Sequence, residues 1–191
     1  MTKIKFDLFQ LHDKEEDQSS RSWIRLGGER LFEEVRKILD ETIVKYDSLS
    51  DVSEIIAQKL NVNSITIENE LRRIKNNKWY ACRKNCITIP LLDALLKVWN
   101  IDRYEEKKWE LINLADFLLS LRKSLRAVKE LMPELCRIAG AHAADGTLFN
   151  YRNPENNLVY GWTIIEHDEK TMRSLKEWIK NVFGIDVSVK E

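Results

Sequence analysis

The stretch Leu135-Cys136-Arg137-Ile138-Ala139-Gly140-Ala141-His142-Ala143-Ala144-Asp145-Gly146-Thr147-Leu148 decides how the chain is read. Pro133, just before it, suits the first turn of a helix, where its missing N–H is not needed. The residues that follow predict a helix running to Asp145-Gly146, where glycine is the expected stop. Gly140 and Ala144 stand four apart on one face, so the backbone of another helix can approach closely there. A seam of that kind is held by many weak dispersion contacts, which add up only where atoms pack without gaps. Beyond Gly146 the period changes. Thr147–Arg152 and Leu158–Glu166 flank Asn153-Pro154-Glu155-Asn156-Asn157 and predict a β-hairpin. Residues 168–183 return to helical spacing, with Met172, Leu175, Trp178, Ile179 and Val182 facing one way. Gly184 ends that helix, and Ile185-Asp186-Val187-Ser188-Val189 alternates like a strand. The expected order is α-β-β-α-β.

Working outward, the 191 residues leave room for two small domains. Apolar residues make up 43% and charged residues 32%, with only 6 Gly and 3 Pro, which suits a folded, helix-rich chain and excludes disorder. No run reaches the roughly 18 apolar residues of a membrane span, and the start, MTKIKFDLFQLHDKEEDQ, does not read as a signal peptide. These features predict a soluble cytoplasmic protein. Three cysteines, Cys82, Cys86 and Cys136, are too few for a disulfide framework and fit a reducing compartment. Cys82-x3-Cys86 has the form of half a zinc site, but His12, His142 and His167 offer no matching spacing, so ordinary thiols are expected.

Upstream of residue 130 the reading is all-helical. Residues 1–20 form a polar arm with an acidic cluster at Asp13, Glu15, Glu16 and Asp17, although Ile4, Phe6, Leu8, Phe9 and Leu11 suit a short docking strand. Gly27-Gly28 predicts a turn, and Glu29–Tyr46 an amphipathic helix. A short helix capped by Ser50 or Asp51 follows, interrupted at Asn61-Val62-Asn63, and a second runs from Ser64 to Ile74. Pro90 opens a helix bearing Leu91, Leu92, Leu95, Leu96 and Trp99, and a longer helical stretch covers about 105–131.

The pair of short helices has the spacing of a helix-turn-helix, in which the second helix enters the major groove of DNA. Ala57 is the small residue needed inside the first helix, and Asn61 tolerates the positive φ of the bend. This spacing resembles the helix-turn-helix families of bacterial and archaeal regulators. One position departs: Glu70 stands where an apolar residue is expected, with Leu71 one later. On this reading Ser64, Thr66, Asn69, Arg72 and Arg73 face outward, with Lys75, Lys78, Arg83 and Lys84 near phosphates. Asn and Arg are base-edge residues, whereas lysines mostly neutralise backbone charge. Net charge is zero, 31 basic against 31 acidic residues, so this local basic cluster rather than whole-chain charge points to nucleic acid.

Ile138-Ala139-Gly140-Ala141-His142-Ala143-Ala144-Asp145-Gly146 resembles the nine-residue motif of LAGLIDADG homing endonucleases. The resemblance covers about residues 133–191. The sixth place, often acidic in the family, holds Ala143. Membership implies that Gly140, Ala141 and Ala144 form an interface between two units, made by a homodimer or with a missing second half. It implies a catalytic carboxylate at Asp145, which with Ala144 beside it marks the metal position for magnesium or another divalent ion. It further implies a sheet that saddles duplex DNA, with Arg152, Asn150, Tyr151, Tyr160, Trp162 and Thr163 as candidate contacts. The family unit continues with a fourth strand and a closing helix that this sequence does not reach, and Lys190 is the only basic residue near the place of a later-strand cation. His142 reads as a packed or interface histidine and His167 as exposed; Glu166 and Asp168 read as an acidic cap. The fold expected is therefore α+β: an all-helical, helix-turn-helix-like domain at 21–130, then a partial LAGLIDADG-type unit at 131–191. The function expected is metal-dependent cleavage of duplex DNA, or DNA binding by a relative that has lost cleavage.

Overall fold

A computed structural model describes residues 4–11, 24–76, 85–120, 123–152 and 158–188, with backbone alone at 120, 123, 149–152 and 158–161. The fold is α+β, and the chain forms two compact units, Asp7–Lys129 and Met1–Phe6 with Glu130–Glu191.

In the Asp7–Lys129 unit the order is β1 (Arg25–Gly27), α1 (Glu29–Lys45), α2 (Leu49–Leu60), α3 (Ser64–Asn76), β2 (Cys86–Thr88), α4 (Ile89–Trp99), α5 (Tyr104–Leu114), β3 (Phe117–Ser120) and β4 (Lys123–Arg126). α4 lies at its centre. Pro90 occupies its first turn, and Leu91, Leu92, Leu95 and Leu96 are all buried, the pattern of a helix covered on nearly every side. It packs against α1, α2 and α5. α1 contributes Leu31, Phe32, Val35, Ile38 and Leu39 from one face, as its spacing predicts. Each methylene removed from water stabilises by about 0.8 kcal/mol, so these aliphatic side chains supply the main force of folding.

This unit is not all-helical, which corrects the sequence reading. Its four strands form an antiparallel sheet in the order β2-β1-β3-β4, with Leu26 opposite Ile87 on one side and Leu118 on the other. The Gly27-Gly28 pair is not a simple turn: Gly27 ends β1 beneath the Phe117 ring, which a Cβ would strike, and Gly28 caps α1. The helix expected over 105–131 stops at Leu114. The N–H of Ala115 closes that helix on Leu111 and Ile112, and the N–H of Asp116 then turns to Gly27 O at 2.8 Å, starting the β3–β4 hairpin. The expectation of a polar arm is corrected within residues 4–11. Leu8 and Phe9 are buried in a 3-10 helix at Leu8–Leu11, while Lys5 makes an isolated antiparallel backbone β-bridge with Glu130 and Ile4 O accepts the N–H of Leu131 at 2.9 Å. The acidic cluster at 13–17 lies outside the described residues.

In the other unit, α6 (Pro133–Asp145) passes directly into β5 (Gly146–Arg152), which pairs antiparallel with β6 (Leu158–Ile164), followed by α7 (Glu169–Phe183). α7 is capped by Asp168, whose carboxylate accepts the N–H of Thr171 at 2.7 Å, and ends at Gly184 with φ 70°. Its buried face is Leu175, Ile179 and Val182, with Met172 and Trp178 half-buried, and it packs on α6. The expected third strand is corrected: residues 185–188 form none. Ile185 and Val187 alternate with exposed Asp186 and Ser188, so the pattern marks which side is covered, without a hydrogen-bonded neighbour to make it a strand. No helix among the described residues is long and apolar enough to cross a membrane.

Candidate functional site

Two places carry the chemistry that the sequence singles out, one in each unit. The first is the pair α2–α3. Ser48, rather than Ser50 or Asp51, caps α2; its hydroxyl accepts the N–H of Asp51 at 3.0 Å. At the other end Asn61 adopts φ 52°, ψ 46°, the left-handed region that asparagine enters more readily than most residues, and the N–H of Val62 returns to Ala57 O at 3.1 Å. Asn63 then accepts the N–H of Ile65 on its side-chain oxygen at 2.8 Å, fixing the start of α3. α3 buries Ile67, Leu71 and Ile74 against α1 and α2.

Opposite that buried stripe lie Ile65, Thr66, Asn69, Arg72, Lys75 and Asn76, all exposed, while Ser64 and Arg73 are half-buried. The anomaly at Glu70 has a physical cause. Its carboxylate reaches the nearly buried Arg25 of β1 at 3.7 Å and accepts a hydrogen bond from Arg73 Nη1 at 2.8 Å. An apolar residue there would leave a buried guanidinium facing hydrocarbon. Arg72 is held by Glu68, one turn back, through Nη2 at 2.6 Å. Lys78, Arg83 and Lys84 lie outside the described residues, as does Cys82; Cys86 is buried in β2. Sequence reasoning missed Ile65 as a member of the outward face and Arg25 as the partner of Glu70. The misplaced acid was the one signal available for that pair.

The second place is the end of α6. The helix runs through Asp145, as the motif requires, but Gly146 does not end it by a left-handed turn. Its φ of −94° and ψ of 152° are ordinary extended backbone. Glycine is needed because a Cβ would collide with the carbonyl oxygen and imidazole of His142. The Asp145 carbonyl accepts the N–H of Ile165 at 3.2 Å, tying the helix end to the end of β6, and its side chain is exposed. His142 is half-buried, its ring 5.6 Å from that of Trp162, with Nε2 buried and unbonded. Ile138 faces the core, Ala141 is half-buried, and Gly140, Ala143 and Ala144 are exposed; a Cβ at Gly140 would meet nothing within 4 Å. Arg137 lies over the Trp178 ring at 5.2 Å, which places that tryptophan in the packing of α6 on α7.

The hairpin supplies the remaining predicted contacts. Thr163 is exposed and Trp162 half-buried; Asn150, Tyr151, Arg152 and Tyr160 are described by backbone only. Glu166 accepts the N–H groups of His167 and Asp168, and His167 is exposed, in line with a capping role. Among the described residues no three His, Cys, Asp or Glu side chains gather as a metal group. Asp145 is a hard oxygen donor suited to a divalent cation, while Ala144 has no side-chain donor. Compared with protein-family models, curated proteins and solved structures, the chain gives no match.

Proposed function

We propose that the protein binds double-stranded DNA through α3 and carries one half of a LAGLIDADG-type endonuclease site at the end of α6. The observation that carries the first part is the α2–Asn61–α3 arrangement. Its left-handed corner turns the second helix so that Thr66, Asn69 and Arg72 point away from the core. Two short helices joined in this way support a helix-turn-helix reading, the form in which a second helix is offered to the major groove. Lys75, with Lys78, Arg83 and Lys84 following in sequence, suits the phosphate backbone.

The nuclease part is supported by a small-residue helix that delivers an exposed terminal carboxylate directly beside a β-hairpin. A second copy approaching along Gly140, Ala141 and Ala144 would bring a second Asp145, and the two carboxylates would be the groups to hold magnesium. When bound, that ion supplies water activation and stabilisation of the leaving oxygen in phosphodiester cleavage. Such a DNA-directed protein, with too few cysteines for a disulfide framework, belongs in the cytoplasm. One observation favours a second reading, a regulator that binds DNA and pairs without cutting. Residues 185–188 extend no strand, so among the described residues the sheet of this unit remains two-stranded.

The test incubates the full chain with a pool of long duplexes and magnesium, and compares it with Asp145→Asn. Site-specific cleavage that Asp145→Asn abolishes supports the nuclease reading. Binding without cleavage by either protein assigns the regulator, and absence of binding rejects both. Joint replacement of Arg72 and Lys75 by alanine lowers the slope of log affinity against log salt by about two. An unchanged slope rejects α3 as the DNA-contacting helix. Arg73 is left intact because its partner Glu70 also holds Arg25.

A further inference from the structure

Ile65, Asn69, Arg72 and Asn76 recur on α3 at i, i+4, i+7 and i+11, so they form one stripe along the helix, opposite the buried Ile67, Leu71 and Ile74. The stripe begins with a large apolar side chain that folding does not use: Ile65 is 65% exposed. Its backbone is nonetheless fixed, because its N–H is held by the Asn63 side chain at 2.8 Å in the first turn. A single aliphatic group on a stripe otherwise made of Asn69, Arg72 and Asn76 is a poor surface for a protein partner, which needs a contiguous apolar patch. It does match the major groove of DNA, where hydrogen-bonding base edges are interspersed with single apolar groups, the C5-methyl groups of thymine.

We propose that Ile65 is a specificity-determining residue that packs on the C5-methyl group of a thymine in the major groove. The inference rests on the DNA-binding reading of α3 and deepens it. Asn69 stands one turn further along, about 6 Å at 1.5 Å per residue, or roughly two base-pair steps at 3.4 Å each. Its carboxamide has the donor–acceptor pair that matches the N6 and N7 edge of adenine. Arg72 is already engaged by Glu68, so its guanidinium arrives at the groove oriented by that carboxylate. The site this helix prefers therefore contains a thymine and, about two steps away, an adenine. Ile65 sets the first preference through shape and dehydration, and Asn69 sets the second through hydrogen bonds.

The test selects a preferred duplex from a random pool with the full chain, then replaces each thymine in turn by deoxyuridine, which removes the methyl group and keeps the pairing. One replacement is expected to weaken the wild-type protein about fourfold, the size of one buried methyl-sized group, and to leave Ile65→Ala unaffected. An unchanged thermal midpoint for Ile65→Ala shows that the exposed position can be altered without loss of fold. The inference is overturned if the selected duplex tolerates every replacement without loss, or if Ile65→Ala keeps the full sensitivity to the methyl group. If the chain selects no duplex, the DNA-binding reading itself fails and takes this inference with it. The two failures are thereby distinguished.

Discussion

Glu70 of α3 stands 3.7 Å from Arg25 of β1, and the same carboxylate holds Arg73 at 2.8 Å. A residue that breaks the apolar rhythm of a helix is here the counter-charge of a guanidinium in the neighbouring strand. Removing one partner of such a pair leaves the other buried and uncompensated. Glu70→Ala is therefore expected to destabilise the protein by on the order of 3 kcal/mol, read from urea unfolding. Combining Glu70→Leu with Arg25→Met should recover most of that loss, since neither charge then remains buried. A Glu70→Ala variant as stable as wild type would mean that Arg25 is solvated.

Asn61 holds its left-handed backbone at φ 52°. Asn61→Gly should be close to neutral, because glycine enters this region without a Cβ clash. Asn61→Val should cost about 1–2 kcal/mol and weaken DNA binding as the α2–α3 corner loosens. Equal thermal midpoints for the glycine and valine variants would show that the corner does not depend on this conformation.

Two glycines of one helix region behave oppositely. At Gly146 an added Cβ meets the carbonyl and ring of His142, so Gly146→Ala should lose about 1–3 kcal/mol through overpacking. At Gly140 an added Cβ meets nothing, and Gly140→Ala should gain up to about 1 kcal/mol from helix propensity. If α6 pairs with a second copy, the same Gly140→Ala change weakens self-association, which sedimentation at several concentrations measures. A stabilised variant with unaltered association would remove α6 as the seam.

Lys107 is buried and joins Glu34 of α1 at 2.7 Å and Glu110 at 2.8 Å. The hydrogen bond from Lys107 holds the Glu34 carboxyl below its ordinary value of 4.5, against the opposing effect of burial. Burial lowers the Lys107 pKa, but its bonds to Glu110 and Glu34 outweigh this and leave it above 10.5. Glu34 thus contributes stability that is present above pH 4.5 and lost as pH falls through its lower folded value. The contribution of Lys107 is present below pH 10.5 and lost as pH rises through its higher one. Glu34→Gln should lower the plateau between these limits and flatten its acid edge, measured as urea midpoints from about pH 7 down to about pH 3. An acid edge of wild-type steepness in Glu34→Gln would transfer the effect to other carboxylates.

Much of the helical framework is legible from side-chain spacing alone. α1, α3 and α7 show apolar residues at i, i+3 and i+4, and β5–β6 announces itself by a change of period after Gly146. The strands of the first unit were hidden for two reasons. β1 and β2 have three residues each, all buried, so no alternation is visible in Arg25-Leu26-Gly27 or Cys86-Ile87-Thr88. β3 and β4 carry Leu118 and Leu125, which, with Leu121 between them in the sequence, continue the i, i+3, i+4 rhythm of Leu111 and Leu114 and so imitate one long helix. The strand expected at 185–189 failed in the opposite sense, because alternation reports covering on one side and cannot supply a pairing partner. Residue chemistry located the left-handed corner at Asn61 and the helix end at Asp145. Only coordinates could show that Ile65 points outward and that Gly146 is demanded by the bulk of His142.

Ile4 and Lys5 belong to the same unit as Glu130 and Leu131, so the chain enters that unit, leaves it for residues 7–129, and returns. In synthesis, Ile4 and Lys5 must wait until Glu130 and Leu131 have emerged before their partners exist. Closing so distant a contact is slow by nature. A fragment beginning at residue 130 would lack the Lys5 partner of Glu130 and the Ile4 carbonyl that receives the N–H of Leu131.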